Sequence, residues 1–437
     1  MRTFGSILDG NRGIGRGFDT LRLVLSISIV CFHSVVVTQG SIVESEFWQS
    51  PLGKLAGTLL PAFFALSGFL VMASAERVKS LKTFLALRAL RIAPALATEI
   101  TLSALILGAV FTTLPAADYF VNPTFFAYFG SLIGRVRTNL PGVFDDNPLP
   151  NVVNTSLWTI RPELGCYVYI ALLSCIGALR SRFLVTSIGI ALLAANVLID
   201  TTAIEDEIRT VIPPRLLLLS FVLGNLAFVW RHRIPYSAGL FIAAFAGGAI
   251  MIQMPAGASF GALLLTYCTV AIGLTPLPRI PVLSRGDYSY GIYLYGFPIQ
   301  ATISHLWPEA RHPFLNIVLA LPPIVLIAIA SWHLVEKPAM AWRKPLMAAD
   351  RPVRRTAVET LFVLPTLLVY ELYLMGAIAY GDDSGAHHWE VIALAFVAVG
   401  TGLCMTAPIW AKHVAPYRHR HPPDTRESGS LTVEPGR

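Results

Sequence analysis

The sequence predicts an all-α protein built as a polytopic membrane helix bundle. Of its 437 residues, 54% are hydrophobic and only 14% are charged, which is too apolar for a soluble domain of this size. Apolar runs of about 20 residues, the length needed to cross a hydrocarbon core about 30 Å thick, recur along the chain. These observations predict about ten core transmembrane helices followed by two more near the C-terminus.

The apolar runs give the predicted spans in order. Ten core spans are followed by two further ones, and the twelve cover residues 18–38, 55–75, 92–114, 157–178, 183–199, 214–230, 236–254, 258–275, 288–306, 313–335, 356–380 and 389–411. The first run continues to Val37 without a convincing small-residue cleavage pattern, so we interpret it as a membrane helix and not as a signal peptide.

The spans divide the chain into four parts. We predict a cytoplasmic N-terminal segment at 1–17, a transmembrane domain at 18–345 and two additional transmembrane helices within 346–411. The remaining residues, 412–437, are polar and contain several prolines, which predicts a disordered cytoplasmic tail.

The charged residues predict the orientation. With a cytoplasmic N-terminus, the inner segments hold Arg2, Arg12, Arg16, Arg77, Lys79, Lys82, Arg88, Arg180, Arg182, Arg231, Arg233, Arg279, Arg285 and the cluster from Lys337 to Arg355. The outer loops hold Glu44, Glu46, Asp118, Asp145, Asp146, Glu205, Asp206, Glu207, Asp382 and Asp383, with Arg135, Arg137, Arg209 and Arg311 as basic exceptions. This asymmetry follows the positive-inside rule and predicts that both termini are cytoplasmic. The net charge of +7 is therefore explained by topology and does not indicate a nucleic-acid partner.

No metal site is predicted. The five cysteines, at 31, 166, 175, 268 and 404, lie in apolar runs without the paired spacing of zinc ribbons or disulfide frameworks. His387 and His388 are adjacent in an outer loop, which is not a helical ligand pair. The chain also lacks a Gly-x-Ser-x-Gly elbow and a P-loop.

Two ionisable residues interrupt the first apolar run. Arg22 and His33 are about three helical turns apart, so they lie on one face of the helix and about 16 Å apart along its axis. An ionisable group inside a bilayer is costly and usually faces a bundle interior or a watery cavity, which makes His33 a functional candidate. A neutral imidazole can act as the general base of acyl transfer, and an arginine can bind a phosphate. A structural role remains open, with His33 hydrogen-bonded between helices and Arg22 anchoring the helix end.

Two further motifs offer candidate binding residues. In PAFFALSGFLVM, Ser67 and Gly68 allow a second backbone or a narrow acyl chain to approach, although small residues also serve plain helix packing. RALR places Arg88 and Arg91 on one helical face near the level of Arg22. The alternative for both arginines is an ordinary cluster of topology anchors.

One carboxylate lies in an apolar stretch. NTSLWTIRPELGCYVY places Glu163 about two turns from the outer end of its helix, at a depth similar to that of His33, so a carboxylate and an imidazole can meet there. Alternatively, Glu163 pairs with Arg161 or caps the helix start.

The motifs together resemble a known family. Arg22 with His33, FFALSGFL, RALR, SLWTIRPELGCY, SYGIYLYGFPIQ and WHLVEKP, in this order, are similar to the acyltransferase-3 family of integral membrane acyltransferases. This family includes O-acetyltransferases of lipopolysaccharide O-antigen and of exopolysaccharide. The resemblance covers residues 14–345, and thus nearly all of the predicted transmembrane domain.

The resemblance implies the reaction and its residues. The family transfers an acyl group, commonly acetyl from cytoplasmic acetyl-CoA, to a hydroxyl of a cell-envelope polysaccharide or its lipid-linked precursor, in the bacterial inner membrane. By this resemblance His33 is the expected catalytic residue with Arg22 as its motif partner, and Arg88 and Arg91 are expected to bind the donor. We add Glu163 as a third catalytic candidate, and Ser67, Ser289 and Tyr290 as further donor-binding candidates. The expected partners are acyl-CoA, the glycan and membrane lipids, with no nucleic acid, no metal and no bound cofactor.

Two departures from the family are visible. Many members have a histidine two residues before the proline of LYGFP, where this chain has Gly296, and His305 on the same predicted helix is a possible substitute. The two helices within 346–411 lie beyond the usual ten-helix core.

A different class of function also fits buried Arg22, His33 and Glu163, namely a proton-coupled transporter or flippase of an envelope component.

Overall fold

The computed structural model describes residues 2–11, 13, 15–202, 212–254, 256–278 and 286–351, together with Leu364, Leu367, Leu368 and Glu371. Several sequence predictions fall outside these residues. They concern Arg12, the acidic cluster Glu205, Asp206 and Glu207 with Arg209, Arg279, Arg285, most of span 356–380, Asp382, Asp383, His387, His388, all of span 389–411, Cys404 and the tail 412–437.

The described residues fold into helices, and they form no β-strand beyond two isolated bridges. The helices are α1 (Phe4–Gly10), α2 (Phe18–Gln49), α3 (Pro51–Ala56), α4 (Leu59–Arg77), α5 (Leu81–Leu102), α6 (Gly108–Phe111), α7 (Ala116–Val121), α8 (Pro123–Tyr128), α9 (Ile160–Cys175), α10 (Arg182–Thr202), α11 (Pro214–Val229), α12 (Ala238–Met251), α13 (Ala258–Leu274), α14 (Ser289–Leu306), α15 (Pro313–Ser331), α16 (Lys337–Ala341) and α17 (Arg343–Ala348). Each of the ten predicted core spans overlaps one of these helices, so the prediction of an all-α bundle is confirmed.

Several of these helices are long and apolar enough to cross a membrane. In the described part of the chain five helical segments meet this criterion, Phe18–Gln49, Pro51–Arg77, Leu81–Phe111, Arg182–Thr201 and Pro313–Ala348. Shorter apolar helices accompany them at Pro214–Val229, Ala238–Met251 and Ala258–Leu274. The chain is therefore a multi-pass membrane protein.

Polar residues mark several helix starts. The side chains of Ser50, Ser80 and Ser237 accept hydrogen bonds from backbone N–H groups in the first turns of α3, α5 and α12. Such caps satisfy donors that have no partner within the helix. These caps also explain why α3, α5 and α12 begin directly after a serine.

Helices α4 and α11 pack closely through glycine. A Cβ at Gly68 would collide with the backbone carbonyl of Phe221, and a Cβ at Gly224 would collide with that of Ala65. Small residues allow this approach because membrane helices associate largely through van der Waals contact. The sequence predicted that either a second backbone or an acyl chain approaches Ser67 and Gly68. In the structure, the backbone of Phe221 approaches Gly68.

Helix α2 folds back on itself at Gly40. The sequence predicts a helix that ends at residue 38, but helical backbone continues to Gln49 across a kink where Gly40 has φ 78°. Phe32 and Trp48 would be about 24 Å apart along a straight helix. Their ring centroids are instead 4.8 Å apart, so the arm after Gly40 returns beside the arm before it. Glycine is required here because φ is positive and because a Cβ would lie 2.6 Å from the carbonyl oxygen of Pro148.

Candidate active site

One cavity unites most of the predicted site. It is enclosed by α2, α4, α5, α9, α11 and α14, and it is lined by seven of the eight predicted residues, Arg22, Ser67, Arg88, Arg91, Glu163, Ser289 and Tyr290. The eighth, His33, does not line it. Residues on five helices thus converge on one space, although up to 268 positions separate them in the chain.

The cavity is elongated and has two different ends. Along α4 it extends from Leu60 to Val71, which is about 16 Å of helix. Arginines occupy the end near Val71, where Arg88 also donates to the hydroxyl of Ser74 at 3.3 Å. Aromatic rings occupy the other end, where Phe63 contacts Tyr293 with ring centroids 6.4 Å apart.

Two of the three arginines are held by carboxylates. Arg91 donates to Asp287 Oδ2 at 2.7 Å and to Glu336 Oε2 at 3.3 Å, and Arg22 donates to the same oxygen of Asp287 at 3.2 Å. Asp287 precedes the first turn of α14. Burial acts to raise the pKa of the Asp287 carboxyl. The guanidinium groups of Arg91 and Arg22 together outweigh this effect and lower the pKa to about 2. The carboxylate is therefore ionised at neutral pH and fixes both arginines.

Arg88 differs from its neighbours. Among the ion pairs that join described residues, none includes Arg88. Its guanidinium instead lies 5.9 Å from the ring centroids of Phe84 and Tyr167, and its Nε is buried without a hydrogen-bond partner in the described structure. Arg88 therefore offers its charge to a ligand more directly than Arg22 or Arg91 does.

Glu163 lies within the arginine-lined cavity. Its carboxylate accepts a hydrogen bond from the hydroxyl of Tyr167 at 2.7 Å, one turn further along α9. The sequence predicted that Glu163 and His33 lie at a similar depth and can meet. The structure places Glu163 among the cavity residues and leaves His33 outside them.

His33 lies just beyond the aromatic end of the cavity. Its ring meets that of Phe297 edge-on, with centroids 5.3 Å apart. Phe297 follows the cavity residue Tyr293 by four positions, so both rings project from one face of α14. The ring of Phe297 therefore connects His33 to the helix face that carries Tyr293. The imidazole is 8% exposed, and its Nδ1 has no hydrogen-bond partner among the described atoms.

A buried polar cluster fixes α2 around His33. Gln300 of α14 donates to the carbonyl of Val30 at 2.8 Å and to the hydroxyl of Ser34. That hydroxyl donates to Asn316 of α15 at 3.2 Å, and Asn316 in turn donates to the backbone carbonyl of Gln300 at 3.1 Å. Gln300, Ser34 and Asn316 are fully buried. These bonds link three helices at the turn that carries His33.

The two departures from the family have structural counterparts. A Cβ at Gly296 would lie 2.9 Å from a methyl carbon of Val30, so a larger side chain at this position would require the Val30 side chain to shift. His305 lies outside the cavity, between the rings of Phe111 and Phe144, at 5.5 and 5.3 Å. Its position therefore gives no support to its role as a substitute for the missing imidazole.

Sequence reasoning missed the residues that organise the arginines. Asp287 and Glu336 stand next to or within quoted motifs, and an acidic residue beside an apolar run is the signal that could have identified them. Tyr167 and Tyr293 also line the cavity. Within the described residues, no group of three or more His, Cys, Asp or Glu side chains is placed to bind a metal ion.

Comparisons with known proteins agree with this arrangement. A sequence-family model described as an acyltransferase domain matches residues 16–333. The chain is 26% identical over 345 residues to an O-acetyl transferase of Shigella phage Sf6, covering 76% of this chain and 98% of the relative. It is 28% identical over 364 residues to nodulation protein 10 of Rhizobium leguminosarum bv. viciae, covering 77% of this chain and 96% of the relative. No solved structure matches it significantly. The chain therefore belongs to the acyltransferase-3 family and is an integral membrane O-acyltransferase.

Proposed function

We propose that this enzyme transfers an acetyl group from cytoplasmic acetyl-CoA to a hydroxyl of a cell-envelope polysaccharide or of its lipid-linked precursor. The observation that carries the proposal is the polarity of the site. Arginines line one end of the cavity, and His33 lies just beyond the other. A donor with a phosphate-bearing end and a thioester at the other end has the same polarity.

The arginine end is the proposed site for the phosphates of the donor. Phosphate oxygens form strong charge-assisted hydrogen bonds with guanidinium groups. Arg88 supplies a guanidinium group that forms no ion pair with a described carboxylate, while Arg22 and Arg91 are oriented by Asp287. Ser67, Ser289 and Tyr290 line the same cavity and are the proposed neutral contacts.

His33 is the proposed general base. Its imidazole takes the proton of the acceptor hydroxyl as the oxygen attacks the thioester carbonyl, and it returns the proton to the departing thiolate. Net transfer forms one ester bond and breaks one thioester bond, and the proton ends on CoA. Phe297 has to move from its position against His33 for the thioester to approach.

The orientation of the chain follows from the same proposal. We place Arg22 and both termini on the cytoplasmic side of the bacterial inner membrane, where acetyl-CoA is available. The loop charges of the sequence support this orientation through the positive-inside rule.

The test is transfer by the purified protein. The enzyme in lipid nanodiscs is incubated with radiolabelled acetyl-CoA and with polysaccharide isolated from cells that lack the gene. Label in the saccharide fraction, with release of an equal amount of free CoA thiol, is the expected result. Two results together would contradict the proposal. The protein would not bind acetyl-CoA, and envelope glycans from cells with and without the protein would carry the same acetylation.

A further inference from the structure

We propose that Phe32, Glu44 and Trp48 form a binding subsite for the saccharide acceptor, beside His33 and on the side away from the donor cavity. The inference rests on the proposed function and adds the position and chemistry of the second substrate. It follows from the fold-back of α2.

The fold-back brings two aromatic rings onto Phe32, the residue that precedes the catalytic candidate His33. The ring of Phe32 lies 4.8 Å from that of Trp48, 5.4 Å from that of Phe47 and 6.0 Å from that of His33. Consecutive residues of a helix point about 100° apart, so Phe32 and His33 face different directions from one turn. The returning arm thus reaches the level of His33 along a different face of α2.

A carboxylate completes the cluster. Trp48 Nε1 donates to Glu44 Oε1 at 3.3 Å, one helical turn apart on the returning arm. This bond orients the carboxylate, which can accept further hydrogen bonds through its other lone pairs. A carboxylate on a segment that folds back along a membrane helix is costly, so its presence calls for a polar partner.

The chemistry of the cluster fits a saccharide. A sugar ring has an apolar C–H face, which packs on an aromatic ring, and hydroxyl groups, which donate to a carboxylate. Phe32, Glu44, Phe47 and Trp48 are all only partly buried, so their surfaces are open to a ligand. The neighbouring negative charge of Glu46 favours a neutral saccharide over an acidic one.

The donor does not need this surface. None of Phe32, Glu44 and Trp48 is among the described residues that line the arginine cavity. A surface outside the cavity gives the second substrate its own route to the imidazole. The cavity provides one route up to Phe297, and the surface beside Phe32 provides the other.

The experiment separates binding of the two substrates. Trp48→Ala, Trp48→Phe and Glu44→Gln are purified in nanodiscs and compared with Trp307→Ala, which removes an indole that is 52% exposed at the end of α14. Each variant is assayed for the apparent KM of acetyl-CoA, for the apparent KM of polysaccharide from cells that lack the gene, and for acetyl-CoA hydrolysis without acceptor. Equilibrium binding of the polysaccharide without donor is measured by microscale thermophoresis.

The expected result is selective loss of acceptor affinity. Trp48→Ala and Glu44→Gln should each weaken saccharide binding about tenfold, equivalent to about 1.4 kcal/mol, while Trp48→Phe weakens it less because a ring remains. The KM of acetyl-CoA and the rate of hydrolysis should stay at the parent values, as should every value for Trp307→Ala. Unchanged saccharide affinity in Trp48→Ala and Glu44→Gln would overturn the subsite and leave the proposed function intact. A parent protein that does not turn over acetyl-CoA would overturn the proposed function, while the binding measurement would still decide the subsite.

Discussion

Arg91 of α5 donates a 2.7 Å hydrogen bond to Asp287, the carboxylate that precedes α14. The two residues are 196 positions apart, and Arg22 of α2 shares the same carboxylate oxygen at 3.2 Å. One acidic side chain thus joins three helices at the charged end of the cavity. The arginines of the site therefore divide into two that are held by carboxylates and one, Arg88, that is not.

Loss of Asp287 should destabilise the protein. Asp287→Ala leaves two largely buried guanidinium groups without their shared partner, and breaking a buried ion pair costs about 3–5 kcal/mol. The free energy of unfolding in mixed micelles measures the effect, with Asp118→Ala on the exposed helix α7 as the control. Arg91→Ala combined with Asp287→Ala should cost less than the sum of the single changes, and strict additivity would contradict the pairing.

Replacement of Arg88 should act on the donor instead. Arg88→Ala removes a cation without leaving a carboxylate unpaired, so the KM of acetyl-CoA should rise about 10–100-fold, in line with about 1.5–3 kcal/mol for a charged hydrogen bond. Arg88→Lys should have a smaller effect because it keeps the charge but loses the planar fork. Lys82→Ala, an exposed cation on the same helix, is the matched control. Donor kinetics that do not change in Arg88→Ala would return this residue to the role of a topology anchor.

Removal of the imidazole should abolish turnover and spare donor binding. His33→Ala should lower the rate of acetyl transfer by about 10²–10⁴-fold, the contribution of a general base. Its affinity for acetyl-CoA should match that of the parent, since the arginines lie about three turns away. His305→Ala, which removes a second histidine that also does not line the cavity, should keep transfer activity. Full activity of His33→Ala would eliminate the proposed mechanism.

The polar cluster around Gln300 should position His33. Gln300→Leu removes its bonds to Val30 and Ser34, so kcat should fall while the KM of acetyl-CoA stays constant. The loss of stability should be about 0.6–2 kcal/mol, typical of hydrogen bonds between membrane helices. The exposed Gln39→Leu should leave kcat unchanged. A Gln300→Leu variant that loses stability with normal kcat would indicate a purely structural cluster.

The orientation can be measured by cysteine labelling. In a cysteine-free background, a membrane-impermeant thiol reagent applied outside the cell should label a cysteine at Glu309, in the exposed connection between α14 and α15. A cysteine at Arg233, which is exposed in the connection between α11 and α12, should react only after the membrane is opened. The reverse pattern would invert the predicted topology.

The sequence was sufficient for the features that depend on local periodicity and composition. Apolar runs predicted every described long helix, and the spacing of Arg22 and His33 placed them on one face of α2. The RALR spacing likewise placed Arg88 and Arg91 on one face of α5. Helical periodicity and bilayer thickness are the same wherever a segment occurs, so these features can be inferred before the neighbours of a segment are known.

The fold-back at Gly40 could be predicted only in part. A glycine near the end of an apolar run indicates a break, but a break has many possible angles. The return of Trp48 to Phe32 depends on contacts of the second arm with the rest of the bundle, including the close approach of Gly40 to Pro148.

By itself the sequence determined the all-α membrane fold, the family and most of the residues that share the cavity. Only the tertiary structure decided how their charges are matched, since it assigned Asp287 to Arg22 and Arg91 and gave Arg88 no ion pair among the described residues. It also placed His33 behind Phe297, outside the cavity. The physical reason is that ion pairs and ring contacts act over a few ångströms between residues that are distant in the chain. Their partners are therefore fixed by how the helices pack, which no local pattern encodes.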